Sequence, residues 1–259
     1  MSRYGMKVND LHIGNASPAF VSQARRMLQV KSARHYTTNH KTGKVARSRL
    51  YRVGLPPVDS GDWNSRVFKR ITNASDMMNT AVMLLSDASG SMSGSKYCTA
   101  AKACGLINEA FSKVLHVPLS IASFTSDGDT PVIGVMKDFD EKVSSDKMAE
   151  RFFDFLVHMS GNNDADTLQW AYHRILKRKE KRKVIIVLSD GSPADGLGDP
   201  HYALKQVTTE IQNAKLVELY GIGIEDDNVR FFYDNNKVIN NISELEPSLV
   251  AVMSKALGA

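Results

Sequence analysis

Two cysteines in 259 residues exclude a disulfide framework. Cys98 and Cys104 lie six apart on one expected helix, so their side chains cannot meet, and both read as small buried apolar residues. Long hydrophobic runs are also lacking: none approaches the roughly 18–20 residues of a membrane span. The N-terminal MSRYGMKVND has no apolar core of a signal peptide. The expectation is a soluble, cytoplasmic chain with no membrane partner. Aromatic residues make up only 8%, which leaves few rings for stacking on bases. There is no internal repeat and no low-complexity tract.

Negative charge is scarce at one end. Residues 1–80 hold 14 Lys/Arg against 4 Asp/Glu, a balance of +10. Residues 81–259 hold 19 against 24, a balance of −5. A basic arm on a mildly acidic globule suits an anionic partner, either nucleic acid or an acidic protein face. Phosphate contacts would come from Arg25, Arg26, Lys31, Arg34, Lys41, Lys44, Arg47, Arg49 and Arg52, with Tyr36 and Tyr51 available for stacking. A solvated arm, or one folded back on the acidic part, is the plain alternative.

Within this arm, NASPAFVSQARRMLQV predicts a helix. Ser17 can cap it, Pro18 fits the first position, and Phe20, Ala24, Met27 and Leu28 follow at helical spacing. The stretch from Ser32 to Trp63 is polar, basic and broken by Gly54, Pro56 and Pro57; it reads as an extended arm with a short helix before Leu50.

From Ala81 the pattern changes. Apolar runs at 81–86, 117–124, 183–189 and 215–224, with a weak one at 237–240, alternate with helix-length amphipathic segments near 96–115, 146–158, 166–179, 201–214 and 243–257. DGDTPVIGVM can add an edge strand. Uninterrupted apolar strands between helices predict a doubly wound α/β domain, a mostly parallel sheet covered on both faces. The expected division is a basic, partly helical extension over 1–79 and this domain over 80–259. In such folds ligands bind at the carboxyl ends of the strands, where the strand order reverses. SDASGS follows the first of these strands and SDGSPAD follows a later one.

Several familiar chemistries are missing at these turns. A phosphate loop needs glycine five residues after Gly90, where Ser95 stands, and the aliphatic hydroxyl of a serine or threonine after Lys96, where Tyr97 stands. GIG at 221–223 lacks the rest of a dinucleotide fingerprint. No G-x-S-x-G elbow occurs, since Gly90 and Gly94 bracket Met92. Among the seven histidines (His12, His35, His40, His116, His158, His173 and His201) only His201 could come near, and it reads as a helix-starting residue. A phosphorylated-aspartate motif would want a carboxylate where Ser89 stands.

A metal site fits the composition. Asp87, Ser89 and Ser91 put one carboxylate and two hydroxyls at alternate positions of one turn, the hard and partly neutral donor set that suits Mg²⁺ or Mn²⁺. Asp190, at the end of another strand, is placed to act through water. Simple capping of the helix near Ser95 is the alternative role of the same three residues.

DASGS after an apolar strand, with VLSDG far downstream, resembles the von Willebrand factor A (VWA) domain and its metal-ion-dependent adhesion site, over about residues 80–258. The resemblance implies a third loop in NNDADTLQWAYHRIL. Aligning Leu168 with the family's leucine puts Asp166 in the usual threonine place, with Asp164 two residues earlier and Thr167 just after; either aspartate could supply the loop. Asp127, Asp129, Asp195 and Asp199 would rim the face and shape partner choice. DADTLQWA, KRKVIIVLSDGSPAD, VELYGIGIEDDNVRFFYDNNKVINNISEL and the lead-in SRLYRV are similar to the C-terminal domain of CobT-type cobaltochelatase subunits, from about Leu50 onward. This implies a non-catalytic accessory subunit of an ATP-dependent metal chelatase, partnered by a MoxR-like AAA+ ATPase of the CobS type and by an unidentified target protein. The long acidic N-terminal region of those subunits is not present here, as in short homologues carried by bacteriophages, for which the compartment would be the host cytoplasm. A virion or assembly component using the A domain is a further alternative.

Overall fold

The computed structural model describes residues 5–11, 18–20, 22, 35–48, 50, 66–72, 79–114, 116–240 and 244–257. The chain divides into two compact units: Met1–Met27 with Asn79–Ala259, and Leu28–Met78. The extension expected over 1–79 is thus shared between them.

The smaller unit differs from the expected extended arm. Strands β1 (His35–His40), β2 (Lys44–Val45) and β3 (Phe68–Thr72) form an antiparallel sheet in the order β1-β3-β2. Gly43 makes the connection possible: it has φ 137°, and a Cβ there would stand 2.6 Å from the Lys69 carbonyl oxygen. These strands are short and polar, and their pairing spans some thirty residues, so no local apolar alternation announces them. Lys41, Lys44 and Arg47 are exposed. Arg25, Arg26, Lys31, Arg34, Arg49, Arg52 and Tyr51 lie outside the described residues, as do the Tyr36 side chain and most of SRLYRV. Of the helix expected over 17–28, residues 18–20 and 22 are described, and they are helical.

The larger unit is built on six strands: β4 (Thr80–Asp87), β5 (Leu119–Asp127), β6 (Thr130–Lys137), β7 (Arg182–Ser189), β8 (Glu218–Ile224) and β9 (Asn235–Ile239). Their order is β6-β5-β4-β7-β8-β9, parallel except for the edge strand β6. This is the expected doubly wound α/β architecture. All eight residues of β4 are buried, which is why Ala81–Leu85 form a continuous apolar run rather than an alternation.

On one face Ala81, Met83 and Leu85 pack with Leu168, Ala171, Ile175, Leu204, Val207 and Ile211 in a single core. The helices in chain order are α1 (Val8–Leu11), α2 (Ser95–Asn108), α3 (Ser145–Phe155), α4 (Asp164–Leu176), α5 (Pro200–Ala214), α6 (Val229–Phe232) and α7 (Leu245–Leu257). The apolar stripes of α4 and α5 cover that face. α2 touches α1, α3, α7 and β4 and is buried nearly all round, as its small residues Ala100, Ala101, Ala103 and Gly105 allow. The helix expected over 96–115 switches to π-helical turns at Glu109–Val114. Cys98 and Cys104 are both free thiols, as their spacing requires. Among the described residues no helix is long and apolar enough to cross a membrane.

Candidate metal centre at the strand ends

The chain runs from β4 outward to β5 and later returns to the other side of β4 as β7. The strand order therefore reverses between β4 and β7, and the crevice of such a sheet opens at their carboxyl ends. Asp87 is the last residue of β4 and Asp190 follows the last residue of β7. Both are buried, at 0% and 2% exposure.

Asp87 is held from three sides. Its Oδ1 accepts from the Ser89 amide at 2.7 Å; its Oδ2 accepts from Ser189 Oγ at 2.8 Å and from Asn162 Nδ2 at 3.2 Å. Ser89 and Ser91 hydroxyls stand 3.1 Å apart. The turn that carries them is pinned by backbone: Gly90 donates to the Ser160 carbonyl at 2.7 Å, and Ala88 to that of Phe124 at 2.7 Å. Capping does not explain these side chains. The short 3-10 turn Gly90–Met92 has no side-chain cap bond at Ser89, and α2 is preceded by Gly94 (φ 82°), which has no side chain to offer.

The third loop precedes α4. Asn163 caps the helix by accepting from the Asp166 amide at 3.1 Å, and its Nδ2 donates to Asp166 Oδ2 at 2.9 Å. Asp166 is exposed and turned onto that cap. Asp164, 4% exposed, is the carboxylate that lies beside Asp87 and Asp190. Thr167 is buried and donates to the Asn163 carbonyl at 2.8 Å.

Burial, reinforced by the Asp190 charge and resisted by the Ser89 and Ser189 bonds, pushes the Asp87 carboxyl up to about 7. Burial, then the charges of Asp87 and Asp190, raises Asp164 well above the usual carboxylate range. Asp164 Oδ2, Asp190 Oδ1 and Asn162 Oδ1 are three of the seven buried side-chain polar atoms with no hydrogen-bond partner among the described residues. Gathered at one place, orphaned oxygens cost free energy unless something electropositive satisfies them. Among the described residues no three His, Cys, Asp or Glu side chains cage a metal by themselves. An ion here would need the hydroxyls of Ser89 and Ser91, and an all-oxygen donor set of this kind suits Mg²⁺ or Mn²⁺.

Of the four expected rim carboxylates, two have structural duties. Asp195 accepts from the Asn162 amide at 2.9 Å and from Ser126 Oγ. Asp199 caps α5, accepting from the amides of His201 at 3.0 Å and Tyr202 at 3.3 Å. Asp127 and Asp129 are exposed at the β5–β6 turn, and the Asp129 carbonyl accepts from Asn163 Nδ2 at 2.8 Å. His201 is exposed, its ring against Phe232 at 5.8 Å. A basic run, KRKEKRK at residues 177–183, lies at the opposite end of β7 and is partly neutralised within the fold: Arg178 pairs with Glu180 and Asp140, and Arg182 with Glu218.

Asn162, Ser189 and Lys96 also belong to this site, and the sequence reading did not assign them to it. Ser189 carried a signal, since it sits immediately before Asp190 at a strand end. Asn162 is brought in only by the loop that packs across β5.

Residues 134–258 match the sequence model of the family described as the VWA domain of the cobalamin biosynthesis protein CobT. The matched segment contains Asp164 and Asp190; Asp87, Ser89 and Ser91 precede it. Among solved structures, the chain is similar to the D319A mutant of the PilB minor pilin from Streptococcus sanguinis (10% identity, TM-score 0.52, 70% of this chain and 62% of that one). It is also similar to proximal thread matrix protein 1 from the mussel byssus (14% identity, TM-score 0.51, 69% and 47%). The pilus adhesin SpaC from Lactobacillus rhamnosus GG matches at 12% identity and TM-score 0.49, over 69% of this chain and 30% of that one. The chain thus spans less than two thirds of the length of each of these structures, and the likeness to the first two is one of fold.

Proposed function

We propose that this chain, which carries a VWA domain resembling the C-terminal domain of CobT, is a divalent-cation-dependent protein-binding module rather than a catalyst. Asp87, Ser89 and Ser91 would hold Mg²⁺ or Mn²⁺, with Asp164 from the third loop and Asp190 acting directly or through water. Asp166 is the less suited of the two third-loop aspartates because its carboxylate is committed to Asn163. A bound cation would supply an electrophilic point able to take an oxygen from a partner protein. The observation that carries this reading is the set of partnerless buried oxygens on Asp164, Asp190 and Asn162, gathered at the sheet's strand-order reversal.

The partner we propose is a MoxR/CobS-like AAA+ ATPase, the relationship implied by the likeness to CobT, with a target protein that the pair would remodel. A role in cobalt chelation follows from the same likeness and is a proposal of the same kind. The +10 balance of residues 1–80 supports a second reading, phosphate binding through the basic arm.

A pull-down from host lysate, run in Mg²⁺ and in EDTA with Ser89→Ala alongside, separates the two. The expected result is an AAA+ ATPase or another protein retained only with Mg²⁺ and intact Ser89. Identical partners in all three samples would overturn cation dependence. Material that survives EDTA but is lost steeply as salt rises would move the function to the arm.

A further inference from the structure

Lys96 occupies the first turn of α2, where the helix dipole disfavours a positive charge, and that turn holds no acidic residue to compensate. Its ammonium nevertheless reaches the site: Nζ stands 3.5 Å from Asp190 Oδ2, an ion-pair distance rather than a short hydrogen bond. The Asp190 side chain is 3% exposed and that of Lys96 23%. The other Asp190 oxygen, Oδ1, is buried without a partner. A cation placed against its own helix and onto one oxygen of a site carboxylate calls for a reason beyond helix stability.

Charge supplies one. A divalent cation held by Asp87, Asp164 and Asp190 as three carboxylates would leave the loaded site with one net negative charge. An anionic group from a partner would then approach a centre that already repels it. Adding the Lys96 ammonium brings the loaded site to neutrality. In a water-poor pocket one unit of net charge strongly biases which groups can enter. We infer that Lys96 is the specificity-determining residue of this site, weakening its hold on the cation and preserving its attraction for a carboxylate from outside. The inference rests on the cation-binding reading above and adds the residue that sets the net charge of the loaded site.

The test uses the full chain, Mn²⁺ as the metal and acetate as the carboxylate. Free Mn²⁺ is followed by electron paramagnetic resonance in wild type, Lys96→Met and Lys96→Arg, each with and without acetate. Circular dichroism verifies the fold of each variant. In wild type, acetate tightens Mn²⁺ binding, as reciprocal coupling between the two ligands requires. Lys96→Met binds Mn²⁺ about tenfold more tightly without acetate and loses the acetate enhancement, whereas Lys96→Arg behaves as wild type. A Lys96→Met constant within about twofold of wild type, or an acetate enhancement that survives in it, overturns this inference and leaves the cation site standing. Absence of Mn²⁺ binding by wild type overturns the site and the inference together.

Discussion

Glu141 shows how a single contact gives this fold a pH dependence away from its site. Arg151 Nη2 donates to its Oε1 at 2.7 Å and Nη1 to its Oε2 at 3.1 Å, while Nη1 also reaches the Met136 carbonyl at 2.5 Å. The Arg151 hydrogen bonds hold the Glu141 carboxyl down to about 2. A depressed carboxyl stabilises the fold above its unfolded value, about 4.3, and that contribution is lost as pH falls toward 2. Solvent reaches both partners, so screening keeps the effect to about 1 kcal/mol or less. Urea unfolding of wild type and Glu141→Gln between pH 6 and pH 3 (a range set by the usual carboxylate values) should show the two converging as pH falls. A gap that stays constant or widens would assign the shift to another group.

Among the elements, α5 owes its start to a residue that sequence alone placed on the binding face. Asp199 has an extended backbone, accepts two amides at the helix end and is followed by Pro200 in the first helical turn. Together these satisfy donors that would otherwise be orphaned and fix the entry angle. Asp199→Ala should cost about 1 kcal/mol in chemical denaturation, and Asp199→Ser should recover most of it. If Asp199→Ala instead left stability unchanged and abolished partner capture, the rim role would be the correct one. The loop before Asp199 is anchored in a different way. Gly161 passes so close to Asp195 that a Cβ on it would overlap the carboxylate and crowd Ser126 Oγ. Here glycine is required by close approach rather than by an unusual φ.

For the whole molecule, the division of the chain carries a consequence for stability. Met6, Leu11 and Phe20 are buried at 4%, 0% and 2% exposure, and α1 packs on α2 and α3 within the larger unit. The first residues therefore form part of the core they precede, and the compact α/β unit does not begin at residue 80. A fragment starting at Asn79 should unfold by about 5 °C or more below the full chain, since it uncovers the apolar surface those three side chains cover. Differential scanning calorimetry of the two would show it. Equal midpoints would mean that residues 1–27 contribute nothing to the unit.

The sequence by itself determined the sheet of the larger unit. Strand positions follow from apolar runs such as AVMLLS and KVIIVLS, because a strand buried on both faces needs apolar residues at every position. The positions of Asp87 and Asp190 at strand ends were legible for the same reason. Tertiary structure alone decided what surrounds them. The choice between Asp164 and Asp166 depends on which way the turn before α4 faces once Asn163 caps it, and both aspartates look equivalent in NNDADTLQW. Asn162 and Lys96 reach the site across 75 and 94 residues of chain, and no local period encodes such a meeting. The three-stranded sheet of residues 35–72 escaped for a related reason. Its strands pair with partners distant in sequence, so only the folded chain reveals which backbone amides meet which carbonyls.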